Sequence, residues 1–182
     1  MSKRLTLILG GARSGKSTHA LRLVALHAGP VLFVATAEAG DAEMASHIAA
    51  HKAGRPASWR TIEAPLRVGE AIRENVGDAG VVLLDCLTLL TSNALLALPQ
   101  PLTSDSVDAV LRAEIESLLA AYGDGMADWI IVSNEVGWGL VPSSVLGRLY
   151  RDALGRANQL VAQMADEVIL LVAGLPMTLK LD

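Results

Sequence analysis

A glycine-rich loop between an apolar strand and an amphipathic helix constrains this chain more than any other feature. The loop is Gly-Gly-Ala-Arg-Ser-Gly-Lys-Ser at residues 10–17, between the apolar run 5–9 and the segment 18–24. The glycines let backbone N–H groups turn toward a polyphosphate, and the following helix points its positive dipole end at the same anion. A glycine-rich turn with a solvated lysine is the alternative, but the flanking strand and helix favour a phosphate-binding loop (P-loop) for a nucleoside triphosphate.

Two side chains at the end of the P-loop have defined chemistry in such a motif. Lys16 can reach the β- and γ-phosphates, and the hydroxyl of Ser17 can bind Mg²⁺. We therefore predict that the whole loop contacts nucleotide: Gly10, Gly11, Ala12, Arg13, Ser14, Gly15, Lys16 and Ser17.

The composition bounds the fold and the partners. The chain has 182 residues, enough for one α/β domain, and we expect a single domain over residues 1–182. Hydrophobic residues make up 52% and aromatic residues 3%, so the core must consist of Leu, Val, Ile and Ala, as in buried parallel strands. The net charge of −4 and the scattered basic residues give no electrostatic footprint for nucleic acid, so we expect none as a partner.

The chain is expected to work in the cytoplasm. Its single cysteine, Cys86, excludes an intramolecular disulfide and suits a reducing compartment. The N-terminus leads directly into the first apolar run without a signal-peptide pattern. The apolar runs are all shorter than the ~20 residues that cross a bilayer, so we predict no membrane span.

Apolar runs alternate with helical patterns along the chain. We predict strands at residues 5–9, 31–35, 58–63, 81–85, 129–133, 167–173 and 177–181. We predict helices at residues 18–24, 41–53, 67–75, 87–98, 104–122 and 145–165. This alternation is typical of an α/β fold with a mostly parallel central sheet, right-handed crossovers and helices on both faces.

Asp85 ends the most apolar predicted strand. A carboxylate at the end of a strand beside the P-loop can orient Mg²⁺ or a metal-bound water, so Asp85 and Ser17 are the candidate metal ligands. The aspartate could instead cap the following helix. Cys86 has no basic neighbour in the local sequence to lower its thiol pKa, so we interpret it as a small packed residue.

Two histidines, His47 and His51, are four residues apart on a predicted helix and would share a face. A metal site is disfavoured because no third ligand is evident near them. Lys52, Gly54 and Arg55 follow His51, so a neutral nucleophilic imidazole would lie beside cations that can neutralise phosphate oxygens. Attack of this imidazole on an α-phosphate would give a phosphoramidate.

Two later segments leave alternatives open. The loop at residues 134–142 follows a buried strand and should emerge at the same sheet edge as the P-loop. Its glycines and Trp138 fit a flap, a subunit contact or an ordinary connection. In the segment 155–159, Arg156 or Asn158 could reach phosphate or stay solvated.

Segments along nearly the whole chain resemble one known family. They lie, in order, at residues 10–17, 35–37, 51–56, 59–61, 63, 85–88, 134–137, 155–159 and 172–176. The pattern resembles the bifunctional adenosylcobinamide kinase / adenosylcobinamide-phosphate guanylyltransferase family of cobalamin biosynthesis. The His-Lys-x-Gly-Arg-Pro segment at residues 51–56 and the Asn-Glu-Val-Gly segment at residues 134–137 are more specific than the P-loop.

The resemblance implies two successive reactions. A nucleoside triphosphate, GTP or ATP, phosphorylates the aminopropanol hydroxyl of adenosylcobinamide, and GMP is then transferred from GTP through a guanylylated His51 to give adenosylcobinamide-GDP. It also implies a RecA-like P-loop NTPase fold and a homotrimer with nucleotide near the subunit interfaces. Beyond the P-loop, it implies nucleotide contacts from Ala35, Thr36, Ala37, Lys52, Ala53, Gly54, Arg55, Glu63 and Asp85.

Two alternative functions keep the P-loop but not the second reaction. A monofunctional small-molecule kinase would make His51 an ordinary surface residue. A regulatory module would bind nucleotide and change its affinity for a partner without transferring any group.

Overall fold

The computed structural model describes residues 3–37 and 56–182. Its strands are β1 (Leu5–Gly10), β2 (Val31–Ala35), β3 (Arg60–Glu63), β4 (Val81–Asp85), β5 (Asp128–Val132), β6 (Glu167–Val172) and β7 (Leu175–Leu181). Its helices are α1 (Lys16–Val24), α2 (Val68–Asn75), α3 (Leu87–Leu96), α4 (Ser104–Asp124) and α5 (Val145–Met164). The strands and helices predicted within these residues are all present, and the helix predicted at residues 41–53 lies outside them.

Two strands begin two residues away from the predicted position, and the other strand boundaries agree to within one residue. β3 begins at Arg60 rather than at residue 58, because Trp59 N–H closes a turn onto the carbonyl oxygen of Pro56 at 3.1 Å. β7 begins two residues earlier than predicted, because a tight turn at residues 173–174 pairs Val172 with Leu175.

The described strands form one sheet in the order β3-β2-β4-β5-β1-β6-β7. All neighbouring pairs are parallel except β6 and β7, which pair antiparallel. The predicted, mostly parallel sheet is therefore confirmed. β5 lies between the P-loop strand β1 and the strand β4 that ends in Asp85, so the loops after these three strands are neighbours.

Helices cover both faces of this sheet. On one face, side chains from α2, α3, α4 and α5 pack with alternate strand residues into the larger apolar cluster, which includes Leu84, Ile115 and Trp129. On the other face, α1 packs against Ile8, Phe33 and their neighbours. Branched aliphatic residues on both sides of the strands make this double coverage favourable. Within the described ranges, no helix is long and apolar enough to cross a membrane.

The strand register places the carboxyl ends of four strands level with one another. Ala35 pairs with Glu63 on one side and with Asp85 on the other. Asp85 in turn pairs with Val132, and Val132 pairs with Ile8. Because the strands are parallel, the chain segments that follow them all leave at one sheet edge, where ligands of open α/β sheets bind.

Candidate active site

The P-loop turns sharply from β1 into α1 through two glycines. Gly10 has φ +154° and Gly15 has φ +98°, both in the region that L side chains rarely adopt. A Cβ on Gly10 would lie 2.6 Å from the carbonyl oxygen of Leu171 on β6. Gly15 occupies the N-cap position of α1, so the helix begins at Lys16 and its N-terminal end faces the loop. Glycine is therefore required at positions 10 and 15 of the predicted P-loop.

A turn near the C-terminal end of the chain supports the same loop. The N–H of Gly174, in the β6–β7 turn, donates to the carbonyl oxygen of Ser14 at 2.9 Å. A Cβ on Gly15 would lie 3.2 Å from the Cα of Gly174. Nothing in the local sequence predicts this contact. The local signal was Ala173-Gly174 between two apolar runs, which suits a hairpin turn but does not say what the turn touches.

Lys16 lies inside the loop. Its side chain is 8% exposed, and Nζ donates to the carbonyl oxygen of Gly11 at 2.6 Å. Burial lowers the pKa of Lys16, while the nearby Cys86 and Asp85 act in the opposite direction. A lysine with restricted solvation and one backbone partner can donate further to an incoming phosphate, because an ammonium group has three N–H donors.

Ser17, in the first turn of α1, and Asp85, at the carboxyl end of β4, are brought together at the same sheet edge. The hydroxyl of Ser17 donates to Oδ2 of Asp85 at 3.4 Å. The N-cap position of α3 is Cys86, so Asp85 does not occupy the capping position that was the alternative for it. A hydroxyl and a carboxylate side by side form a set of hard oxygen donors, which fits Mg²⁺. These two residues would hold the ion.

Thr36 joins the end of β2 to the end of β4. Its hydroxyl donates to the carbonyl oxygen of Cys86 at 2.7 Å and accepts from the N–H of Cys86 at 2.8 Å. Thr36 is completely buried, and its own carbonyl oxygen accepts from the side-chain amide of Asn93 at 2.8 Å. The Thr36 hydroxyl therefore fixes the backbone next to Asp85. Asn93 was not identified from the sequence, since an amide in an apolar helix carries no local sign of its distant partner.

Glu63 and the segment 35–37 lie farther along the same edge. Glu63 ends the edge strand β3, level with Ala35 and two strands away from Asp85. With adjacent strands about 4.8 Å apart, the Glu63 and Asp85 backbones are roughly 10 Å apart. Ala37, two residues after the end of β2, is half-buried. This distance is too large for both carboxylates to bind one metal ion, but it allows them to contact different parts of one nucleotide.

Cys86 has the environment of a packed residue. It lies against the apolar cluster on the α1 face. Burial raises the pKa of its thiol to about 11, and the adjacent Asp85 adds to the increase. A thiol with this pKa is almost entirely protonated at neutral pH and is a poor nucleophile. This agrees with the interpretation of Cys86 as a small packed side chain.

A buried polar network holds the chain just after β5. Ser133 donates through its hydroxyl to Oδ1 of Asn158 at 2.6 Å, and the side-chain amide of Asn158 donates to the carbonyl oxygen of Asn134 at 3.1 Å. The N–H of Asn134 donates to the hydroxyl of Thr88 at 2.9 Å. The sequence left phosphate contact and solvation open for Asn158; its side chain is neither solvated nor free for phosphate, because it is 6% exposed and fixes this backbone.

Arg156 and the loop at residues 134–142 have different surroundings. Arg156 forms an ion pair with Asp108 of α4, so its guanidinium is held against the protein. In the loop, Trp138 is 76% exposed and Leu140 is 96% exposed. The loop thus emerges at the P-loop edge, as predicted, with apolar side chains facing outward.

The predicted histidine nucleophile lies outside the described residues. This applies to His47 and to the proposed nucleotide contacts in the same segment: His51, Lys52, Ala53, Gly54 and Arg55. Over residues 3–37 and 56–182, no group of three or more His, Cys, Asp or Glu side chains could hold a metal ion.

The P-loop, the parallel sheet and the Ser17–Asp85 pair define a nucleotide-binding α/β protein of the RecA-like P-loop class. A solved structure supports the fold: a prototypical ATPase from the type III secretion system of pathogenic bacteria aligns with a TM-score of 0.56 at 15% identity. The alignment covers 96% of this chain, and the chain spans 56% of that ATPase.

The family is defined by sequence. The model for cobinamide kinase / cobinamide phosphate guanyltransferase matches residues 6–179, so the chain belongs to this family. The bifunctional adenosylcobalamin biosynthesis protein CobP of Pseudomonas aeruginosa is 45% identical over 96% of this chain and 96% of its own length. The bifunctional adenosylcobalamin biosynthesis protein CobU of Escherichia coli K12 is 40% identical over 97% of this chain and 99% of its own. The predicted family is confirmed.

Proposed function

We propose that this chain is a bifunctional enzyme that phosphorylates adenosylcobinamide and then converts the product to adenosylcobinamide-GDP. The supporting observation is the grouping of Lys16, Ser17 and Asp85 at one sheet edge, in a chain whose family carries both activities in its description. In this proposal residues 1–182 act as one kinase and nucleotidyltransferase domain.

In the kinase step, the P-loop binds the triphosphate of GTP or ATP. Backbone N–H groups of residues 10–17 and the N-terminus of α1 face the phosphates, and Lys16 donates to the β- and γ-phosphate oxygens. Mg²⁺, held by Ser17 and Asp85, neutralises charge on the phosphates when it is bound. The aminopropanol hydroxyl oxygen bonds to the γ-phosphorus, the bond from that phosphorus to the β-phosphate oxygen breaks, and the nucleoside diphosphate leaves.

In the second step, His51 is the proposed nucleophile. A ring nitrogen bonds to the α-phosphorus of GTP and pyrophosphate leaves, so that the histidine carries GMP. A phosphate oxygen of adenosylcobinamide phosphate then attacks the same phosphorus, which frees the histidine and forms the diphosphate bond. Histidine suits this role because it is neutral and nucleophilic near pH 7.

The remaining assignments complete the proposal. Guanine nucleotide contacts come from Ala35, Thr36, Ala37, Lys52, Ala53, Gly54, Arg55, Glu63 and Asp85. Thr36 contributes by positioning its neighbours, since it is completely buried and its hydroxyl, N–H and carbonyl oxygen all bond within the protein. The enzyme works in the cytoplasm as a homotrimer with nucleotide near the subunit interfaces. The exposed apolar side chains of Trp138 and Leu140 are consistent with a surface that a neighbouring subunit covers.

The guanylyl step is tested by incubating the protein with GTP labelled on the α-phosphate. We expect an acid-labile, alkali-stable protein adduct that maps to His51. His51→Ala should abolish the adduct and retain kinase turnover, whereas the control His27→Ala should retain both. Kinase turnover without an adduct would support a monofunctional kinase instead, and equal loss of both activities in His51→Ala would contradict the division of roles.

The kinase step is tested at Lys16. Lys16→Ala should abolish corrinoid phosphorylation while circular dichroism and the unfolding midpoint show a folded protein. Arg22, an exposed cation on α1, provides the control, and Arg22→Ala should keep full turnover. Nucleotide binding without any phosphoryl transfer to the corrinoid would favour the regulatory module.

A further inference from the structure

Glu135 lies three residues after the end of β5, next to the start of the P-loop. Its backbone N–H donates to the carbonyl oxygen of Gly10, the first P-loop residue, at 3.0 Å. Two residues earlier, the N–H of Ser133 donates to the carbonyl oxygen of Ile8 at 2.9 Å. The chain after β5 therefore stays beside the P-loop strand until it reaches the loop. A carboxylate is thus attached at the point where the loop begins.

The backbone that carries Glu135 is held firmly. Asn134 accepts from Asn158 and donates to Thr88, and Asn158 also bonds the completely buried Ser133. These groups come from the segment just after β5, from α3 and from α5, three separate parts of the chain. Catalytic groups need such support, because small displacements of a reacting group cost large factors in rate.

The carboxylate of Glu135 is oriented by a backbone hydrogen bond within its own loop. Oε1 of Glu135 accepts from the N–H of Gly137 at 2.6 Å, and a Cβ on Gly137 would lie 2.9 Å from that oxygen. A carboxylate has two oxygens, so this contact orients the side chain and still leaves acceptor capacity for another donor. The side chain is half-buried, which gives a substrate access to it.

Asp85 ends β4 and Glu135 follows the adjacent strand β5, but their carboxylates have different neighbours. Asp85 contacts the hydroxyl of Ser17, the residue assigned to the metal ion. The backbone N–H of Glu135 bonds to Gly10, which ends β1. β1 and β4, the strand that ends in Asp85, lie on opposite sides of β5. One carboxylate is therefore committed to the cation and the other is available to the group that attacks the phosphate.

We propose that Glu135 is the carboxylate that receives the proton of the acceptor hydroxyl in the kinase step. The hydroxyl O–H bond breaks and its proton passes to a carboxylate oxygen of Glu135. The hydroxyl oxygen bonds to the γ-phosphorus, and the nucleoside diphosphate leaves with the electrons of the broken P–O bond. The carboxylate then releases its proton to water. This proposal rests on the proposed function and concerns its first step alone.

The first test compares Glu135→Gln with Glu116→Gln, a matched change at an exposed position on α4. General base catalysis typically contributes 10²–10⁴-fold, so we expect kinase kcat to fall at least ~100-fold in Glu135→Gln. In Glu135→Gln, the KM for the corrinoid and the Kd for a fluorescent GTP analogue should stay within about threefold of the wild-type values. The amount of labelled protein adduct should also stay within about threefold of the wild-type amount. Glu116→Gln should match the wild type. A kcat in Glu135→Gln within threefold of the wild type would overturn the proposal.

The second test separates proton transfer from a structural role of the Gly137 contact. In Glu135→Ala, added formate should restore kinase turnover at least tenfold in a concentration-dependent manner, because a small carboxylate can enter the vacated space and accept the proton. Formate should not restore Glu135→Gln, whose amide still fills that space. An inactive Glu135→Ala that folds, binds the GTP analogue and gains nothing from formate would contradict proton transfer at this residue.

A third variant keeps the carboxylate but moves it. Gly137→Ala places a Cβ against Oε1 of Glu135, so kinase kcat should fall while adduct formation continues. Unchanged kcat would count against the position assigned to the carboxylate. If the proposed function itself is wrong, the wild-type protein will phosphorylate no corrinoid. In that case none of these variants will show a loss relative to the wild type.

Discussion

The N–H of Gly174 donates a hydrogen bond to the carbonyl oxygen of Ser14, across 160 positions of the chain, at 2.9 Å. The donor belongs to the turn between β6 and β7, and the acceptor belongs to the P-loop. Ala173 and Gly174 both have positive φ, +52° and +81°, and they form a two-residue connection between Val172 and Leu175. These are the features of a type I′ hairpin turn, which favours Asn-Gly at its centre.

We therefore predict opposite effects from two changes in this turn. Ala173→Asn should raise the free energy of unfolding by about 0.5–1 kcal/mol, because asparagine tolerates positive φ better than alanine. Gly174→Ala should lower it by about 1–2 kcal/mol, because alanine is strained at φ +81°. Urea unfolding measures both changes. Gly174→Ala should also weaken nucleotide binding several-fold, and unchanged affinity would show that the turn does not support the P-loop.

A second prediction concerns the proposed metal ligands. Ser17→Cys replaces a hard oxygen ligand with a softer sulfur, so Mg²⁺-dependent kinase turnover should fall at least tenfold while Mn²⁺ or Cd²⁺ restores part of it. Steady-state assays with each cation give the comparison. Thr18→Cys, at the exposed neighbouring position, should keep the metal preference of the wild type. The same loss with every cation would argue against a metal bond from residue 17.

A third prediction uses two helical glycines with different surroundings. A Cβ on Gly69 of α2 would lie 2.4 Å from the carbonyl oxygen of Ser117 on α4, whereas a Cβ on Gly155 of α5 would meet nothing within 4 Å. Gly69→Ala should lower the free energy of unfolding by about 1–3 kcal/mol through overpacking. Gly155→Ala should raise it by about 0.5–1 kcal/mol through helix propensity. Equal effects on the urea midpoint would refute the close packing of α2 on α4.

The fourth prediction concerns the thiol of Cys86. Its pKa is about 11, against an ordinary value of 9.0, so at pH 8 iodoacetamide should alkylate the folded protein about 100-fold more slowly than an ordinary thiol. The guanidinium-unfolded chain is the control and should react at the ordinary rate. Rapid alkylation of the folded protein, monitored by mass spectrometry, would contradict the raised pKa of this thiol.

The same pKa shift predicts a pH dependence of stability. Below about pH 9 the thiol is protonated in both the folded and the unfolded chain, so it contributes no pH dependence. Between about pH 9 and the folded pKa of about 11, the unfolded chain binds fewer protons, and the free energy of unfolding falls as pH rises. Cys86→Ala should reduce this alkaline loss, measured as urea midpoints across the window. Burial also raises the pKa of Tyr150 to about 12, which adds a similar loss at higher pH.

Much of the fold could be predicted because its signals are local. The apolar strands and the Gly-Lys-Ser loop each lie within a few consecutive residues, and parallel topology follows from their alternation with helices. The placement of Asp85 near Ser17 could also be anticipated, since parallel strands send their carboxyl ends to one edge. The nucleotide contacts and the role of His51 remain predictions from the family resemblance and the motif.

The sequence by itself determined the α/β class, the P-loop and the family of this protein. Only the tertiary structure decided which groups support that loop: the Gly174 turn at Ser14, the Thr36 hydroxyl at Cys86, and the Asn158 network behind Glu135. The physical reason is that strand order sets these neighbours. A hydrogen bond between residues far apart in the chain has no periodicity or spacing to mark it, so the partners of a buried amide or hydroxyl become known only when the sheet is assembled.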